Sequence, residues 1–314
     1  MSKTRIFIDG SAGTTGLRIR ERLAAREDLE LLALPEERRK DPAARAEALD
    51  AADVAFLCLP DAAAVEAVSL VRNPRTAIID TSTAHRTAPG WAYGFPELAG
   101  ARDRIRASKR IANPGCHASG FVALVAPLVR AGIVRPDARL ACFSLTGYTG
   151  GGKKMIAEYE AAEGRSPLLE APRQYGLGQA HKHLPEMAAA TGLESPPAFC
   201  PVVADFPCGM EVTVPLFARD LRGTRADVAE ALRAAYPADG PGLVHFDESA
   251  DEAGFLAANA FAGRDDMQVA LFGNDERPLL VSRFDNLGKG ASGAAIQNLN
   301  LLLGTDERTG LVVG

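Results

Sequence analysis

The sequence lacks the cysteine pairs of a disulfide scaffold or a zinc site. Its five cysteines, Cys58, Cys116, Cys142, Cys200 and Cys208, are odd in number and scattered along 314 residues. None forms a C-x-x-C pair, which argues against both a disulfide framework and bound zinc. We therefore expect no metal.

Long apolar runs and an excess of positive charge are also missing. No stretch approaches the roughly 18 apolar residues of a membrane helix, and the sequence opens directly into a strand pattern rather than a signal peptide. The net charge of −5 argues against nucleic-acid or anionic membrane partners. We expect a cytoplasmic protein that acts on a small molecule.

The length and the pattern of elements predict an α/β protein of two domains. Apolar strands at 5–9, 29–34, 54–59 and 77–80 alternate with helices, as in a Rossmann-type parallel sheet. We assign residues 1–115 to this domain, completed by a C-terminal helix over 290–314. Beyond Leu140, long loops separate the strands. Residues 116–289 are therefore predicted to form an α+β domain with a mostly antiparallel sheet.

A glycine-rich turn, G-x-x-G-x-x-G, follows the first predicted strand and precedes a helix. Glycines let a backbone approach a pyrophosphate closely, and the helix N-terminus favours its negative charge. A merely tight turn is the alternative. The predicted dinucleotide contacts here are Gly10, Ser11, Gly13, Thr14, Thr15 and Gly16.

Three cations follow the second predicted strand, and two of them, Arg38 and Arg39, suit the 2′-phosphate of NADP. Glu36 or Glu37 could instead hold the ribose of NAD, and a solvated loop is a further alternative. Pro60 and Ser82 follow the next two strands, where ligands bind in open α/β sheets. The hydroxyls after the fourth strand and Arg86 are candidates to hold an anion.

The stretch Asn113-Pro114-Gly115-Cys116 reads as a turn that opens a helix. Phe121, Leu124, Val125 and Leu128 recur at helical spacing before Gly132 ends it. A cysteine in the first turn meets unpaired N–H groups and the positive end of the helix dipole, which favour its thiolate. Cys116 is therefore a candidate nucleophile; a small buried thiol is the alternative.

A second cluster, His181-x-His183-x-x-Glu186, suits general acid–base chemistry, because histidine titrates near neutral pH and a carboxylate can orient it. A metal site is the weaker alternative, since no third ligand has suitable spacing. In an extended segment both imidazoles would point the same way.

Two glycine-rich stretches complete the set of candidates. The loop from Thr146 to Lys153 can wrap an anion, or serve only as a flexible connection. The turn at 285–293, with Asn286 and Gly288, opens a helix that could meet the nicotinamide half of a dinucleotide, or simply pack on the first domain.

Taken in order, these motifs resemble those of the N-acetyl-γ-glutamyl-phosphate reductase family, in its shorter form. The resemblance covers essentially the whole chain, including Tyr-Gly-Phe-Pro-Glu-Leu at 93–98 and Asp-Asn-Leu-x-Lys-Gly-Ala-x-Gly at 285–293. That family is grouped with the aspartate-semialdehyde and glyceraldehyde-3-phosphate dehydrogenases. It implies NADPH-dependent reduction of an acyl phosphate through a cysteine thioester, in arginine biosynthesis, by a homodimer or homotetramer.

Carried over by position, the resemblance makes Cys116 the nucleophile and His181 or His183 the acid–base group, with His181 favoured. His117 departs from the family pattern, which has tyrosine after the nucleophile. The substrate-binding residues implied are Arg86, Ser82, Asn113, Glu186 and Lys153, the last replacing an arginine.

Three other functions share part of this pattern. Short-chain dehydrogenases use Tyr-x-x-x-Lys, and no tyrosine here has lysine four residues on, which excludes that class. Aspartate-semialdehyde dehydrogenase shares the thiolate chemistry and is the main enzymatic alternative. A non-catalytic NADP-binding sensor would require an unreactive Cys116.

Overall fold

The computed structural model describes residues 3–314; residues 1 and 2, which begin the first predicted domain, lie outside the described residues. The chain divides into two compact units. The first contains Met1–Pro96, Gly100–Pro114 and Ala291–Leu311, and the second contains Glu97–Ala99, Gly115–Gly290 and Val312–Gly314. No helix within residues 3–314 is both long enough and apolar enough to cross a bilayer.

The first unit is built on a six-stranded sheet in which every pairing is parallel. Its strands are β1 (Thr4–Asp9), β2 (Leu29–Leu32), β3 (Val54–Leu57), β4 (Ala77–Asp80), β5 (Ala92–Tyr93) and β6 (Arg110–Ala112). Their spatial order is β2-β1-β3-β4-β6-β5. The predicted Rossmann-type parallel sheet is confirmed, although β2 and β3 end two residues earlier than predicted.

Nine α-helices surround the sheets of the two units within the described chain. They are α1 (Thr14–Ala24), α2 (Pro42–Ala51), α3 (Asp61–Leu70), α4 (Ala101–Ala107), α5 (Cys116–Arg130), α6 (Gly152–Tyr159), α7 (Leu184–Thr191), α8 (Arg225–Ala235) and α9 (Gly293–Leu303). In the first unit, α2 and α3 cover one face of the sheet, where Leu49 and Ala64 pack against Phe7, Leu57 and Ile78. Burial on both faces explains the continuous apolar runs of β3 and β4.

The second unit contains a seven-stranded mixed sheet of order β11-β12-β13-β10-β7-β9-β8. Its strands are β7 (Ala141–Gly147), β8 (Arg173–Gln174), β9 (Ala198–Ala204), β10 (Met210–Pro215), β11 (Val244–Phe246), β12 (Met267–Gly273) and β13 (Pro278–Phe284). The pairs β7/β9 and β11/β12 are parallel, and the other pairs are antiparallel. The prediction of a mostly antiparallel sheet therefore holds for most of its pairs.

Helix α5 lies at the centre of the second unit. The predicted stripe of Phe121, Leu124, Val125 and Leu128 is fully buried, which confirms the helix and its packing face. Burial extends around nearly the whole circumference, beyond the one face of a surface helix. This packing fixes the position of the residue that opens the helix.

A buried ion pair within the second unit joins Lys289 to Glu97, which lies in the short segment Glu97–Ala99. The Lys289 ammonium group is fully buried and donates to both carboxylate oxygens of Glu97, at 2.9 and 2.8 Å. The same carboxylate accepts a hydrogen bond from the backbone N–H of Leu243 (2.9 Å). Glu97 therefore belongs to this unit together with Leu98 and Ala99, although Pro96 and Gly100 on either side belong to the first.

Candidate active site

Cys116 is the first residue of α5 and is partly buried. The peptide before it is held by a buried carboxylate, because the Gly115 N–H donates to Oε1 of Glu186 at 2.8 Å. A Cβ atom at Gly290 would lie only 2.9 Å from Cβ of Cys116, closer than real Cβ atoms approach. The helix start is thus fixed from two sides, with the thiol at the positive end of the helix dipole.

His181 and His183 lie in a turn, so the prediction of an extended segment is wrong. The Leu184 N–H donates to the carbonyl oxygen of His181 (3.0 Å), and His183 is the N-cap residue of α7. Pro185 explains the difference, since proline favours the first turn of a helix and α7 begins at Leu184, immediately after the histidines. The two imidazoles still meet edge to face, with ring centroids 4.7 Å apart.

His117 connects the nucleophile to these histidines. Its ring centroid lies 5.6 Å from that of His181 and 5.6 Å from that of His183. Its Nδ1 is 2.6 Å from Oγ of Ser144, and its Nε2 is 2.6 Å from the hydroxyl oxygen of Tyr175. His117, the residue directly after the predicted nucleophile, therefore forms one cluster with both predicted acid–base candidates.

Burial, followed by the positive charges of His181 and Lys182, lowers the pKa of His117 to about 3. This imidazole is therefore neutral at physiological pH. Burial and the negative charge of Cys116 raise the pKa of Tyr175 above its usual value. Near neutral pH, His117 therefore stays neutral with a single N–H, and Tyr175 keeps its O–H proton.

Tyr175, Ser144 and His117 are site residues that the sequence motifs do not predict. Tyr175 lies in the loop that follows β8, where its N–H bonds to the Pro201 carbonyl of β9 (3.0 Å). Ser144 is a buried residue of β7 and contacts His117 of α5. The available signals were the histidine beside the nucleophile and a tyrosine six residues before His181.

The remaining cysteines have different surroundings. Burial raises the pKa of the Cys58 thiol to about 12, and it raises that of Cys142 well above its usual range. Within residues 3–314, all five cysteines are outside disulfides, and no group of three or more His, Cys, Asp or Glu side chains could hold a metal ion.

In the first unit, the glycine turn forms the predicted backbone cradle between β1 and α1. Gly10 has a φ of 84°, and a Cβ atom there would collide with the Cys58 carbonyl oxygen. The Gly13 N–H donates to the Gly10 carbonyl (3.0 Å), and α1 begins at the next residue. Ser11 lies inside this turn, and Thr14, Thr15 and Gly16 form the first turn of α1. The arrangement fits a dinucleotide pyrophosphate.

A cavity of about 500 Å³ extends from this turn to the residues after β2. Arg39 lines it and pairs with Glu36 at 2.5 Å. Arg38 instead donates to Asp41 (3.4 Å). A cation and a carboxylate at the rim suit a phosphorylated or free ribose, as the sequence predicted.

The carboxyl end of β4 carries a buried polar cluster centred on Asp80. Its Oδ1 accepts the Ser82 N–H (2.9 Å), and its Oδ2 accepts the Ser82 hydroxyl (2.7 Å) and lies 2.6 Å from Nδ1 of His85. The His85 ring stacks on Trp91, with centroids 4.1 Å apart. Ser82 is therefore held in one orientation at the sheet edge where ligands bind.

Arg86 follows this cluster and is anchored by backbone carbonyls. Its Nε donates to Asn113 (3.0 Å), and its Nη2 donates to Thr81 (3.1 Å). The Asn113 amide donates to the Ala291 carbonyl (3.0 Å) and accepts from Asn298 (3.2 Å). Asn113 therefore serves this unit by fixing the loop that holds Arg86.

The other predicted residues occupy separate positions. Pro60 is the N-cap residue of α3, and Lys153 is exposed on α6. The Asn286 amide accepts from the Gly209 N–H (2.9 Å) and donates to Thr149 (3.0 Å). The Gly288 N–H donates to Asp285 (2.9 Å). These last two residues form a buried turn within the second unit.

Two family models match nearly the whole chain. Residues 5–108 match the semialdehyde dehydrogenase NAD binding domain. Residues 116–286 match the semialdehyde dehydrogenase dimerisation domain.

Curated relatives match over nearly their full length. N-acetyl-gamma-glutamyl-phosphate reductase 2 of Nostoc is 44% identical and covers 99% of this chain and 100% of its own. The N-acetyl-gamma-glutamyl-phosphate reductase of Brucella anthropi is 49% identical and covers 96% and 99%.

Two solved structures share the fold. Aspartate semialdehyde dehydrogenase II of Vibrio cholerae, complexed with ASA, has a TM-score of 0.72 at 18% identity and covers 96% of this chain and 99% of its own. Aspartate semialdehyde dehydrogenase of Candida albicans, with NADP, has a TM-score of 0.64 at 17% identity and covers 98% and 99%.

Proposed function

Since the chain belongs to the semialdehyde dehydrogenase family, and within it to the N-acetyl-gamma-glutamyl-phosphate reductases, we propose that it reduces N-acetyl-γ-glutamyl phosphate with NADPH. The products are N-acetylglutamate 5-semialdehyde and phosphate, in a step of arginine biosynthesis. The observation that carries this proposal is Cys116 at the head of a buried helix, with two histidines packed against the next residue, His117.

Cys116 acts as the nucleophile. Its thiolate attacks the carbonyl carbon of the acyl phosphate, the bond to the phosphate oxygen breaks, and a thioester forms on Sγ. When bound, the reduced nicotinamide supplies the hydride that turns the thioester into a thiohemiacetal. The Cys116 N–H at the helix start stabilises the developing oxyanion.

One histidine of the pair, for which we propose His181, donates a proton to the thiohemiacetal oxygen. It takes the proton back as the C–S bond breaks, which releases the aldehyde and regenerates the thiolate. Glu186 contributes by position: it accepts the Gly115 N–H and so holds the peptide that precedes Cys116 at the start of α5. His183 is the second candidate for the same proton and otherwise contacts the substrate.

For the cofactor, we propose that the glycine turn holds the NADP pyrophosphate through backbone N–H groups and the hydroxyls of Ser11, Thr14 and Thr15. Arg39 is the proposed ligand of the 2′-phosphate, with Arg38 beside it. Further contacts proposed from the sequence are Pro60, Ser82, Asn286 and Gly288. The Gly10 cradle and the adjoining cavity support this assignment.

For the substrate, we propose that Arg86 binds the acyl phosphate, with Ser82 as a hydrogen-bonding neighbour. Two carbonyls fix the Arg86 guanidinium and Asp80 fixes Ser82, so neither side chain must be ordered by the ligand. Lys153, an exposed cation, is proposed to attract the phosphate.

The test is phosphate-dependent reduction of NADP by the purified protein, with N-acetylglutamate 5-semialdehyde or aspartate semialdehyde as substrate. We expect the first substrate to be preferred; preference for the second would overturn the proposed substrate. Cys116→Ala should abolish turnover and retain NADPH binding, whereas Cys200→Ser on β9 should keep full activity. Full activity of the Cys116→Ala variant would refute the thioester route.

We propose that the enzyme is a homodimer or homotetramer, assembled through the sheet face opposite α5. Phe143 on that face is 51% exposed, beside the half-buried Leu145 and Val202. An exposed apolar patch on a sheet is typical of an interface. Light scattering should show an oligomer, and Phe143→Glu should shift it toward a monomer.

We place the enzyme in the cytoplasm, where thiols stay reduced.

A further inference from the structure

The proposed chemistry leaves two polar groups of the site without a role, His117 and Tyr175. We propose that His117 is a positioning residue that, together with Ser144, holds the Tyr175 hydroxyl toward the acyl group on Cys116. This inference rests on the proposed function. It concerns the residues of this chain, because the family pattern has tyrosine where His117 stands.

The geometry forms a continuous chain of hydrogen bonds. The imidazole of His117 spans from Ser144 Oγ on one side to the Tyr175 hydroxyl on the other, at 2.6 Å each. Phe199 packs edge-on against the same imidazole, with centroids 5.3 Å apart, and prevents it from turning away. The Tyr175 ring is therefore tied to the residue directly after the nucleophile.

A neutral imidazole has one N–H, so it donates through one nitrogen and accepts through the other. When Ser144 donates to Nδ1, the Nε2–H of His117 donates to the Tyr175 oxygen. The phenolic O–H then has its hydrogen available for another acceptor. The hydroxyl can thus donate to an oxygen that becomes negative during the reaction, without losing its own proton.

The charged and titratable groups that face His117 are His181, His183, Lys182 and Tyr175, and Cys116 in turn acts on Tyr175. His181 and Lys182 oppose the protonation of His117, and burial opposes it most. Tyr175 stays protonated because burial and Cys116 disfavour its anion. The relay is therefore a fixed hydrogen-bond support, and acid–base work remains with the His181/His183 pair.

The test compares kcat, KM and the pH–rate profile of Tyr175→Phe, His117→Phe and the double variant with those of the wild type. We expect each single variant to lose about ten- to a hundredfold in kcat, with KM and the midpoints of the pH profile little changed. The double variant should lose no more than Tyr175→Phe alone, since His117 acts through Tyr175. His117→Gln, whose amide can reach the tyrosine, should recover part of the rate.

Multiplicative losses in the double variant would overturn the inference, as would unchanged kcat in His117→Phe. If His117→Phe fails to fold, the comparison of His117→Gln with Tyr175→Phe decides in the same way: full loss in the Gln variant refutes the relay. All variants are assayed with whichever acyl phosphate the wild type reduces faster. A wrong substrate assignment therefore shows in the wild type, and a wrong relay shows only in the variants.

Discussion

The buried imidazole of His117 should make the protein sensitive to acid. Its pKa is lowered from 6.5 to about 3 in the folded protein. Below pH 6.5 the unfolded chain therefore binds a proton that the native protein does not, and the free energy of unfolding falls as the pH falls. The stabilisation is complete above pH 6.5 and is lost progressively toward pH 3.

The magnitude follows from the size of the pKa shift. Between pH 6.5 and pH 4 the loss amounts to about 3 kcal/mol, at about 1.4 kcal/mol for each pH unit. His117→Gln removes the titrating group but keeps a polar side chain of similar reach. We expect the stability difference between wild type and variant to shrink by about 3 kcal/mol between pH 7 and pH 4.

Urea unfolding followed by far-UV circular dichroism at several pH values measures this difference. Tyr175→Phe is the matched control, since it leaves the imidazole in place and should keep the slope of the wild type. Parallel curves for wild type and His117→Gln across the whole range would refute the reasoning. They would mean that His117 is not held neutral by its surroundings.

Three further predictions concern the packing and the cofactor. Lys289→Met should lower the free energy of unfolding in urea by about 3–5 kcal/mol, because it leaves the Glu97 carboxylate buried without its partner. Adding Glu97→Gln should restore part of that free energy. A Lys289→Met variant as stable as the wild type would contradict this. Gly290→Ala should lower kcat at least about tenfold, because the added methyl group displaces the start of α5. Iodoacetamide should also label the Cys116 thiol more slowly in this variant. An unchanged kcat would show that the helix start tolerates the methyl group. Arg39→Ala should raise KM for NADPH about ten- to a hundredfold and leave KM for NADH unchanged, with Arg38→Ala as the weaker control; the reverse order would exchange their roles.

The elements that local patterns describe could be predicted from the sequence. The apolar stripe of α5 depends only on helical spacing, and the helix forms where it was predicted. The parallel sheet follows from apolar runs that alternate with helices. The Asp80–Ser82 contact is similarly local, because its partners are two residues apart.

The surroundings of the nucleophile could not be predicted in the same way. His117 meets Ser144 and Tyr175 across 27 and 58 residues, and those contacts depend on how β7, β8 and β9 pair. The conformation of His181 and His183 could not be predicted from an assumed extended segment either. Pro185 lies in the first turn of α7, and the helix begins directly after His183. Spacing identified the reactive residue types, and tertiary register decides which of them touch.

The contact between Lys289 and Glu97 constrains how the molecule is assembled during translation. Glu97 leaves the ribosome well before its partner, which follows 192 positions later in the chain. The second unit therefore cannot complete this part of its interior until Lys289 has been made. A fragment excised at 115–290 would enclose an ammonium group without its carboxylate, and we expect it to be unable to fold independently.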